Sequence, residues 1–461
     1  MINIKSDSRK VKPGDIFVAL KGISSNGSDY INSAILNGAS KLIVEEDGDY
    51  SIPYEVVPDS RKYLTDYLNN NYNKYLDEMT LIGITGTNGK TTSAFLLYDA
   101  LNKLGYKCGY MGTIGFYLDK KVFDLPNTSP DITEIYDMLI TAYDLGYRYM
   151  TLEVSSHGLD MGRLDGIKFD YAIFTNLTQD HLDYHKTMGN YALAKQKLFE
   201  RLKENGKAIV NYDDKYNEYF LLDSNNNITY GFNGGDYQVI DYNMNHGGTR
   251  FVYKHNDNDQ VINSTLLGKY NIYNLLTTIS VLSELGVNAD DMRDVILKLK
   301  APSGRMDMIK YGESSIIIDY AHTPDAVEKI IKTMKEVTSG NIYTVFGCTG
   351  DRDRTKRPIM MNIVTSLSKY VVVTNDDPHN EDPEQIVDDM LDGIEVNNYE
   401  ICLNRKEAII KGINLLNDRD ILLILGKGHE EVMIVKENKK IPFNDRKVVI
   451  EYLESISERI N

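Results

Sequence analysis

The clearest alternation of apolar and polar positions begins at Thr80. There the short run Leu81-Ile82-Gly83-Ile84 meets a glycine-bearing loop, and Thr91 to Leu104 then carries apolar residues at helical spacing up to Gly105. That order predicts strand, loop and helix. Tyr149-Met150-Thr151-Leu152 and Tyr171-Ala172-Ile173-Phe174 are further predicted strands, each followed by polar and ionisable residues, as at the carboxyl ends of parallel strands. Upstream, the Lys12-Pro13-Gly14-Asp15 turn and the apolar run Ile16 to Leu20 predict turn then strand in a small α/β module, with the polar stretch Asn69 to Leu76 as its linker edge. Asn211 to Asn263, rich in Asn, Asp, Gly and Tyr, is expected to form an irregular or antiparallel excursion. Beyond Ala301-Pro302-Ser303-Gly304, strand-like runs return at Ile316-Ile317-Ile318, Tyr343 to Phe346, Val371 to Val373 and Ile421 to Ile424, which suggests a second, Rossmann-like sheet. The fold class is therefore α/β in three blocks, 1–76, 77–301 and 302–461.

Composition agrees with several cores, since 461 residues at 42% hydrophobic content exceed one ordinary domain. The three cysteines, Cys108, Cys348 and Cys402, have neither disulfide-framework nor zinc-site spacing. Met1 to Lys12 lacks the apolar core of a signal peptide and no long apolar run follows, so a cytoplasmic protein without membrane contact is expected. A net charge of -16 argues against wrapping nucleic acid, which relies on clustered cations. Any phosphate site must be local.

One such site is evident. Gly83-Ile84-Thr85-Gly86-Thr87-Asn88-Gly89-Lys90-Thr91-Thr92 offers glycines for close backbone approach, a cation in Lys90, a magnesium-ligating hydroxyl in Thr91 and the positive end of the following helix. The strict pattern G-x-x-x-x-G-K-[ST] is not met, because Ile84 occupies its first glycine position. The loop indicates a nucleotide without indicating a reaction.

Glu153 to His157 and Asn176 to Asp183 each follow a predicted strand, so their side chains can converge beside that loop. Magnesium prefers oxygen, which makes Glu153 the candidate ligand. His181 is the softer metal candidate, since a lone histidine is more often a hydrogen-bonded structural residue, and His185 reads as a capping or packing one.

At this point the sequence resembles the Mur ligase family over nearly its whole length, closest to the members that add the third peptide residue of the peptidoglycan precursor. The resemblance is carried in order by Asp7-Ser8-Arg9, Gly86 to Thr92, Asn127-Thr128-Ser129-Pro130, Glu153 to His157, Thr175 to Asp183, Tyr191 to Lys195, Gly268 to Asn274, Gly304 to Asp307, Asp319 to Pro324, Gly347 to Asp353, Asp376 to Pro383 and Gly426 to Glu430. It implies a UDP-sugar-binding N-terminal domain, a central P-loop ATPase-like domain and a Rossmann-like domain that brings the amino acid. It also implies ATP-dependent amide ligation through an acyl phosphate, on UDP-MurNAc-dipeptide and a free amino acid, by a monomer.

By that resemblance Gly86, Thr87, Asn88, Gly89, Lys90, Thr91 and Thr92 hold the phosphates, Asn271 and Asn274 lie near the adenine, and Arg305 and Asp319 reach ATP from the C-terminal side. Thr91, Glu153 and His181 surround magnesium, with Lys195, carbamylated by carbon dioxide, supporting a second ion; Lys90, Glu153, His181 and Lys195 form the catalytic set. Ser8, Ser24, Ser25, Asn127, Thr128, Ser129, Ser155 and Arg163 match positions for the UDP-sugar peptide, and Met161 stands where the family often has a polar residue. Without the resemblance, Lys195 is an ordinary exposed helical lysine, Asn271 and Asn274 turn or cap residues, Arg305 a surface cation, Ser8 a turn serine and Arg163 a surface ion-pair partner.

The incoming amino acid is matched by Arg352, Asp376, Asp377, Pro378, His379, Gly426 and Glu430. Family members that add meso-diaminopimelate typically carry Asp-Asn-Pro-Arg where this chain has Asp376-Asp377-Pro378-His379. Histidine cannot reproduce the two-pronged grip of arginine on a distal carboxylate, and Asp377 adds negative charge. L-lysine or a similar basic residue is therefore expected ahead of meso-diaminopimelate, with a related ligase of a specialised pathway as the other alternative.

Overall fold

The computed structural model describes residues 2–22, 26–224, 226–245 and 248–460. Ile4–Lys5, Ile16–Val18, Lys41–Val44 and Tyr54–Val56 form a four-stranded parallel sheet in that order, the second strand stopping at Val18 rather than Leu20. The expected linker edge at Asn69 to Leu76 is instead the second half of a helix, Ser60–Asp77, started by the Asp59 carboxylate accepting from the Lys62 N–H. Leu64, Leu68 and Leu76, at helical spacing, are buried, and Tyr67, Tyr72 and Tyr75 pack against the same core. Asparagines mask a helix whose apolar stripe is built from leucine and tyrosine.

That core is shared. It runs from Ile4, Val18 and Ile43 of the first sheet through the helix to Leu81, Leu152 and Phe174 of the next, so the N-terminal module is fused to its neighbour by apolar burial. Lys5 and Lys10 add ion pairs to Asp137 and Glu134 on helix Ile132–Asp144.

The central sheet has eleven strands. Its middle is parallel, with Thr80–Thr85 lying between Phe169–Phe174 and Tyr149–Glu153. Three neighbouring carboxyl ends therefore open side by side, the usual location of a ligand crevice in such sheets. The Asn-rich excursion is regular, an antiparallel meander of Tyr237–Asn245, Gly248–His255 and Asn258–Ser264 that extends one edge. Helices Lys90–Lys103 and Lys269–Glu284 cover one face through Leu97, Leu101, Leu275 and Ile279.

The last sheet has six strands, in the order Asp307–Tyr311, Ser314–Asp319, Ile421–Leu425, Ile342–Phe346, Tyr370–Val373 and Tyr399–Ile401. All pairs are parallel except the first. Its carboxyl ends carry Asp319, Gly347, Thr374 and Gly426 toward the central sheet.

Candidate active site

The phosphate loop leaves strand Thr80–Thr85 and enters helix Lys90–Lys103. Gly86 (φ 149°) and Gly89 (φ 87°) both need positive φ, and a Cβ at Gly86 would run into the Thr175 hydroxyl. The loop is pinned from the next strand: the Thr87 N–H donates to the Asn176 carbonyl (2.8 Å), the Asn88 N–H to Asn176 Oδ1 (3.0 Å), and Thr175 Oγ1 to the Asn88 carbonyl (2.6 Å). Lys90 Nζ folds back to donate to the Gly86 and Thr87 carbonyls, both at 2.9 Å.

Lys195 meets the same carbonyl. Carried on helix Met188–Gln196, it is buried, with Nζ donating to Gly86 O (2.8 Å) and lying 4.5 Å from the Tyr191 ring centre. It is not an exposed helical lysine. Burial, reinforced by Lys90, pushes its amine well below the ordinary lysine value.

Glu153, at the end of strand Tyr149–Glu153, is buried. Its carboxylate accepts from Thr91 Oγ1 (2.8 Å), the Thr113 hydroxyl (3.1 Å) and N–H (2.8 Å), and the Tyr110 hydroxyl. The hydroxyl and carboxylate oxygens of Thr91 and Glu153, in contact beside the loop, are the hard donor set that suits magnesium. His181 adopts a left-handed conformation (φ 54°), with Nε2 3.4 Å from Asp180 Oδ2 and its ring 4.9 Å from that of His157. Burial drives the imidazole toward its neutral, ligand-competent form. His185 hydrogen-bonds Ser156 Oγ (3.0 Å) and stacks on Tyr191, as a packing residue does.

Between the central and last sheets lies a cavity of about 440 Å³ lined by Gly89, Thr92, Asn271, Asn274, Arg305 and Asp319. Asn271 and Asn274 sit inside helix Lys269–Glu284 rather than at a cap, and are buried and linked, Asn274 Nδ2 donating to Asn271 Oδ1 (3.0 Å). Arg305 is no surface cation: its guanidinium lies 4.5 Å from the Tyr320 ring centre, reaches Thr91 Oγ1 at 3.4 Å, and leaves Nε buried without a partner. Asp319 accepts from the Met306 and Ala321 N–H groups (2.8 Å each), which fixes the turn that presents Arg305. The last domain also touches the loop directly, with Asn88 Nδ2 donating to Asp325 (3.0 Å) and Lys356 lying 3.6 Å from Asp180.

On the other side of Glu153 the residues matched to the UDP-sugar peptide gather. Ser129 Oγ donates to the Glu153 carbonyl (3.1 Å) and accepts from the Ser155 N–H (3.0 Å); Arg163 donates to the Ser129 carbonyl (2.9 Å), and Thr128 meets Thr113 at 3.0 Å. Arg163 thus holds a backbone oxygen rather than a surface ion pair, and also lies 3.3 Å from Met161 Sδ. Asn127 is exposed beside them. Ser8 is buried in a short turn of the first module, next to Ser6, whose hydroxyl donates to Asp131 (2.7 Å). Ser24 and Ser25 lie outside the described residues.

Asp376, Asp377 and Glu430 form a carboxylate cluster whose oxygens lie within 4.8 Å of one another. A fully buried ammonium, Lys427, sits among them, 2.7 Å from both Asp377 and Glu430 and 4.0 Å from Asp376. Asp377 is therefore ion-paired rather than free, and the other contact of its Oδ1 is the Ile434 N–H (2.8 Å). Pro378 is buried, and the His379 N–H donates to the Ile434 carbonyl (3.1 Å) with φ 51°. Burial pushes the Glu430 carboxyl up to about 7 against the opposing pull of Lys427. Gly426 (φ 112°) passes against the Asp376 carboxylate, where a Cβ would collide. Arg352 is exposed and close enough to act on His157, whose imidazole burial lowers with help from Lys195, Arg163 and Arg352.

Comparison with known proteins bears on the whole chain. Residues 2–80 match the Mur ligase family catalytic domain, 84–282 the Mur ligase middle domain and 304–428 the Mur ligase glutamate ligase domain. A Clostridium botulinum protein named UDP-N-acetylmuramoyl-L-alanyl-D-glutamate--2,6-diaminopimelate ligase is 38% identical over 98% of this chain and 95% of its own length. The chain belongs to the Mur ligase family. Mur ligases are ATP-dependent enzymes that form amide bonds. The Bacillus cereus protein of the same name is 37% identical over 100% of this chain and 94% of its own. A solved structure of a ligase with that name shares 32% identity and a TM-score of 0.70 over 99% of this chain and 95% of that one. The MurF ligase of Thermotoga maritima in complex with ADP, at 21% identity, 92% and 93% coverage and a TM-score of 0.68, shares the three-domain fold.

Several side chains of this Mur ligase site are not among those the sequence singled out. Tyr110 and Thr113, which complete the surroundings of Glu153, lie in and just after a run, Cys108–Gly112, too short and glycine-rich to read as a strand. Lys427 lies inside a motif that is legible, and its signal is a lysine flanked by Gly426 and Gly428 directly after the apolar strand Ile421–Leu425. Lys356 and Asp325, which reach the central domain, carry no local signal.

Proposed function

We propose that this Mur ligase joins a diamino acid to UDP-N-acetylmuramoyl-L-alanyl-D-glutamate, with cleavage of ATP to ADP and phosphate, and that meso-diaminopimelate is the residue added. The observation that carries the ligase reading is the meeting of Lys90 and buried Lys195 at the Gly86 carbonyl, beside the Thr91 and Glu153 contact. Diaminopimelate is favoured by the names of the full-length relatives and by the pairing of Asp377 with Lys427, which ties Asp377 to the protein's own ammonium rather than leaving it free for that of L-lysine. L-lysine remains the second reading because His379 stands where arginine is usual.

In this reading an oxygen of the D-glutamate carboxylate attacks the γ-phosphorus of ATP and ADP leaves. The amine of the incoming residue then attacks the acyl carbon, loses a proton, and phosphate departs from the tetrahedral intermediate. A carboxylate is a poor acyl donor, and phosphorylation supplies the leaving group. Lys90 and the loop amides hold the phosphates, and Arg305 reaches them from the last domain. Thr91 and Glu153, with His181 alongside, would hold magnesium, which would supply positive charge to the phosphoryl oxygens. Lys195 is read as the carbamate: its neutral amine adds carbon dioxide, a C–N bond forms and a proton leaves, giving an anion for a second ion.

Ser8, Asn127, Thr128, Ser129, Ser155 and Arg163 hold the UDP-sugar peptide, and Arg352, Asp376, Gly426 and Glu430 the incoming residue. Contacts of Asp325 and Lys356 with the central domain exclude water while the two substrates meet. One copy of the chain contains every one of these residues, which suits a monomer, and ATP with a nucleotide sugar argues for a cytoplasmic reaction.

The test is phosphate release with ATP, magnesium and UDP-MurNAc-L-Ala-D-Glu, screened against meso-diaminopimelate, L-lysine and L-ornithine. The highest kcat/KM is expected for meso-diaminopimelate. A higher value for L-lysine sinks that assignment, and release independent of the dipeptide substrate sinks the ligase reading.

A further inference from the structure

The carboxylate cluster holds a residue with no place in the reaction so far. Lys427 is fully buried, and its three N–H donors face Asp377 and Glu430 at 2.7 Å with Asp376 at 4.0 Å. Three carboxylates against one ammonium is an unbalanced set. Elsewhere around it, Arg405 and Asp445 neutralise each other in a fully buried pair, with Arg405 anchored also to the Asn375 and Leu425 carbonyls. The neighbouring His429 is held neutral by burial, and Tyr320, which follows strand Ser314–Asp319 and acts on Glu430, stays protonated. Among the described residues no other cation forms an ion pair with Asp377 or Glu430, although the charge of Arg405 also reaches Glu430, and the two carboxylates divide Lys427 between them.

We propose that Asp377 is a positioning residue acting through Lys427: by taking one of that ammonium's ion pairs it controls how strongly Lys427 holds Glu430, and so sets the proton on the carboxylate aimed at the incoming amine. This rests on the reading of Glu430 as an amino-acid contact. An asparagine at 377 can accept a hydrogen bond from Lys427 but brings no charge, so it leaves the ammonium to Glu430. The aspartate of this chain weakens that hold and adds a second negative charge within 4.8 Å. Both effects raise Glu430, whose value of about 7 comes first from burial, opposed by Lys427, and then from Asp376 ahead of Asp377. An ionised Glu430 attracts an ammonium group and a protonated one does not, so capture of the amino acid becomes dependent on pH near neutrality.

The protein alone tests this by NMR with 13C at the glutamate side-chain carboxyls, the Glu430 signal being assigned by its loss in Glu430→Gln. In Asp377→Asn its titration midpoint is expected roughly 1 pH unit lower than in the parent. Identical midpoints overturn the proposal. The activity arm measures KM for the amino acid against pH, where the rise on acidification should move down by the same amount while kcat follows its own profile. A KM raised equally at every pH marks a merely structural role and also overturns it. Asp377→Ser is read in the same way should Asp377→Asn not fold. Because the NMR arm needs no turnover, an inactive parent enzyme would sink the ligase reading without touching this outcome.

Discussion

Lys195→Ala separates the carbamate from a plain buried cation. The side chain is 1% exposed, packs beside Tyr191 and ends 2.8 Å from the Gly86 carbonyl. Removing its alkyl stem opens a cavity worth about 2–3 kcal/mol. Against that, it removes an amine that is costly to charge beside Lys90, so the net loss of stability stays within about 2 kcal/mol and the protein remains folded. Activity is another matter, because loss of a group that supports charge in the transition state costs roughly 10²–10³ in kcat. The assay is phosphate release with ATP, the UDP-sugar dipeptide and amino acid, with and without formate or acetate, which can occupy the vacated space as a carboxylate and restore part of the rate. In parallel, protein equilibrated with 13C-bicarbonate should show a carbamate carbon signal that is absent from Lys195→Ala. Full activity in the variant, or no such signal in the parent, refutes the assignment.

Glu381 accepts from the buried Arg357 at 2.9 and 3.0 Å, and this hydrogen bonding holds its carboxyl below the usual 4.5. Because the folded value is depressed, the stabilisation is complete above about pH 4.5 and is lost as pH falls through the folded value. Glu381→Gln should therefore lower stability in urea by about 1–2 kcal/mol at pH 7, Asp389 still pairing Arg357, with the gap to the parent closing below that pH; a gap that persists in acid contradicts the ion pair. His379→Arg should raise kcat/KM for meso-diaminopimelate relative to L-lysine by about tenfold through a forked contact with the distal carboxylate, and an unchanged ratio means that this loop does not choose the residue.

Sequence pattern made the parallel strands and the phosphate loop legible, because continuous apolar runs ending in glycine or ionisable residues have few other interpretations. It failed at Asn69 to Leu76, where polar composition hid a stripe of leucine and tyrosine that only its spacing discloses. It also failed to show that Lys195 is buried and Arg305 half-buried, since a long cation on a short helix or turn gives no local sign of the surface that will cover it. Asp377 was misjudged for a related reason. Its charge was counted, but its partner Lys427 lies fifty residues away and meets it only because strands Tyr370–Val373 and Ile421–Leu425 end in the same crevice.

That last case extends to the site as a whole. A chain of net charge -16 repels a triphosphate and a UDP-sugar at long range, so affinity must come from cations that water cannot screen. Lys90 and Arg305 are drawn in beside the phosphate loop, Lys90 sharing the Gly86 carbonyl with Lys195 and Arg305 lying over the Tyr320 ring, while Lys427 is enclosed by carboxylates of the last domain. Burial lowers the two lysines at the phosphate loop, while the carboxylates around Lys427 keep it charged. The same residue type is thus tuned in opposite directions at the two ends of one cleft: toward the neutral amine that the proposed carbamylation of Lys195 would require, and toward a fixed ammonium among the carboxylates around Lys427.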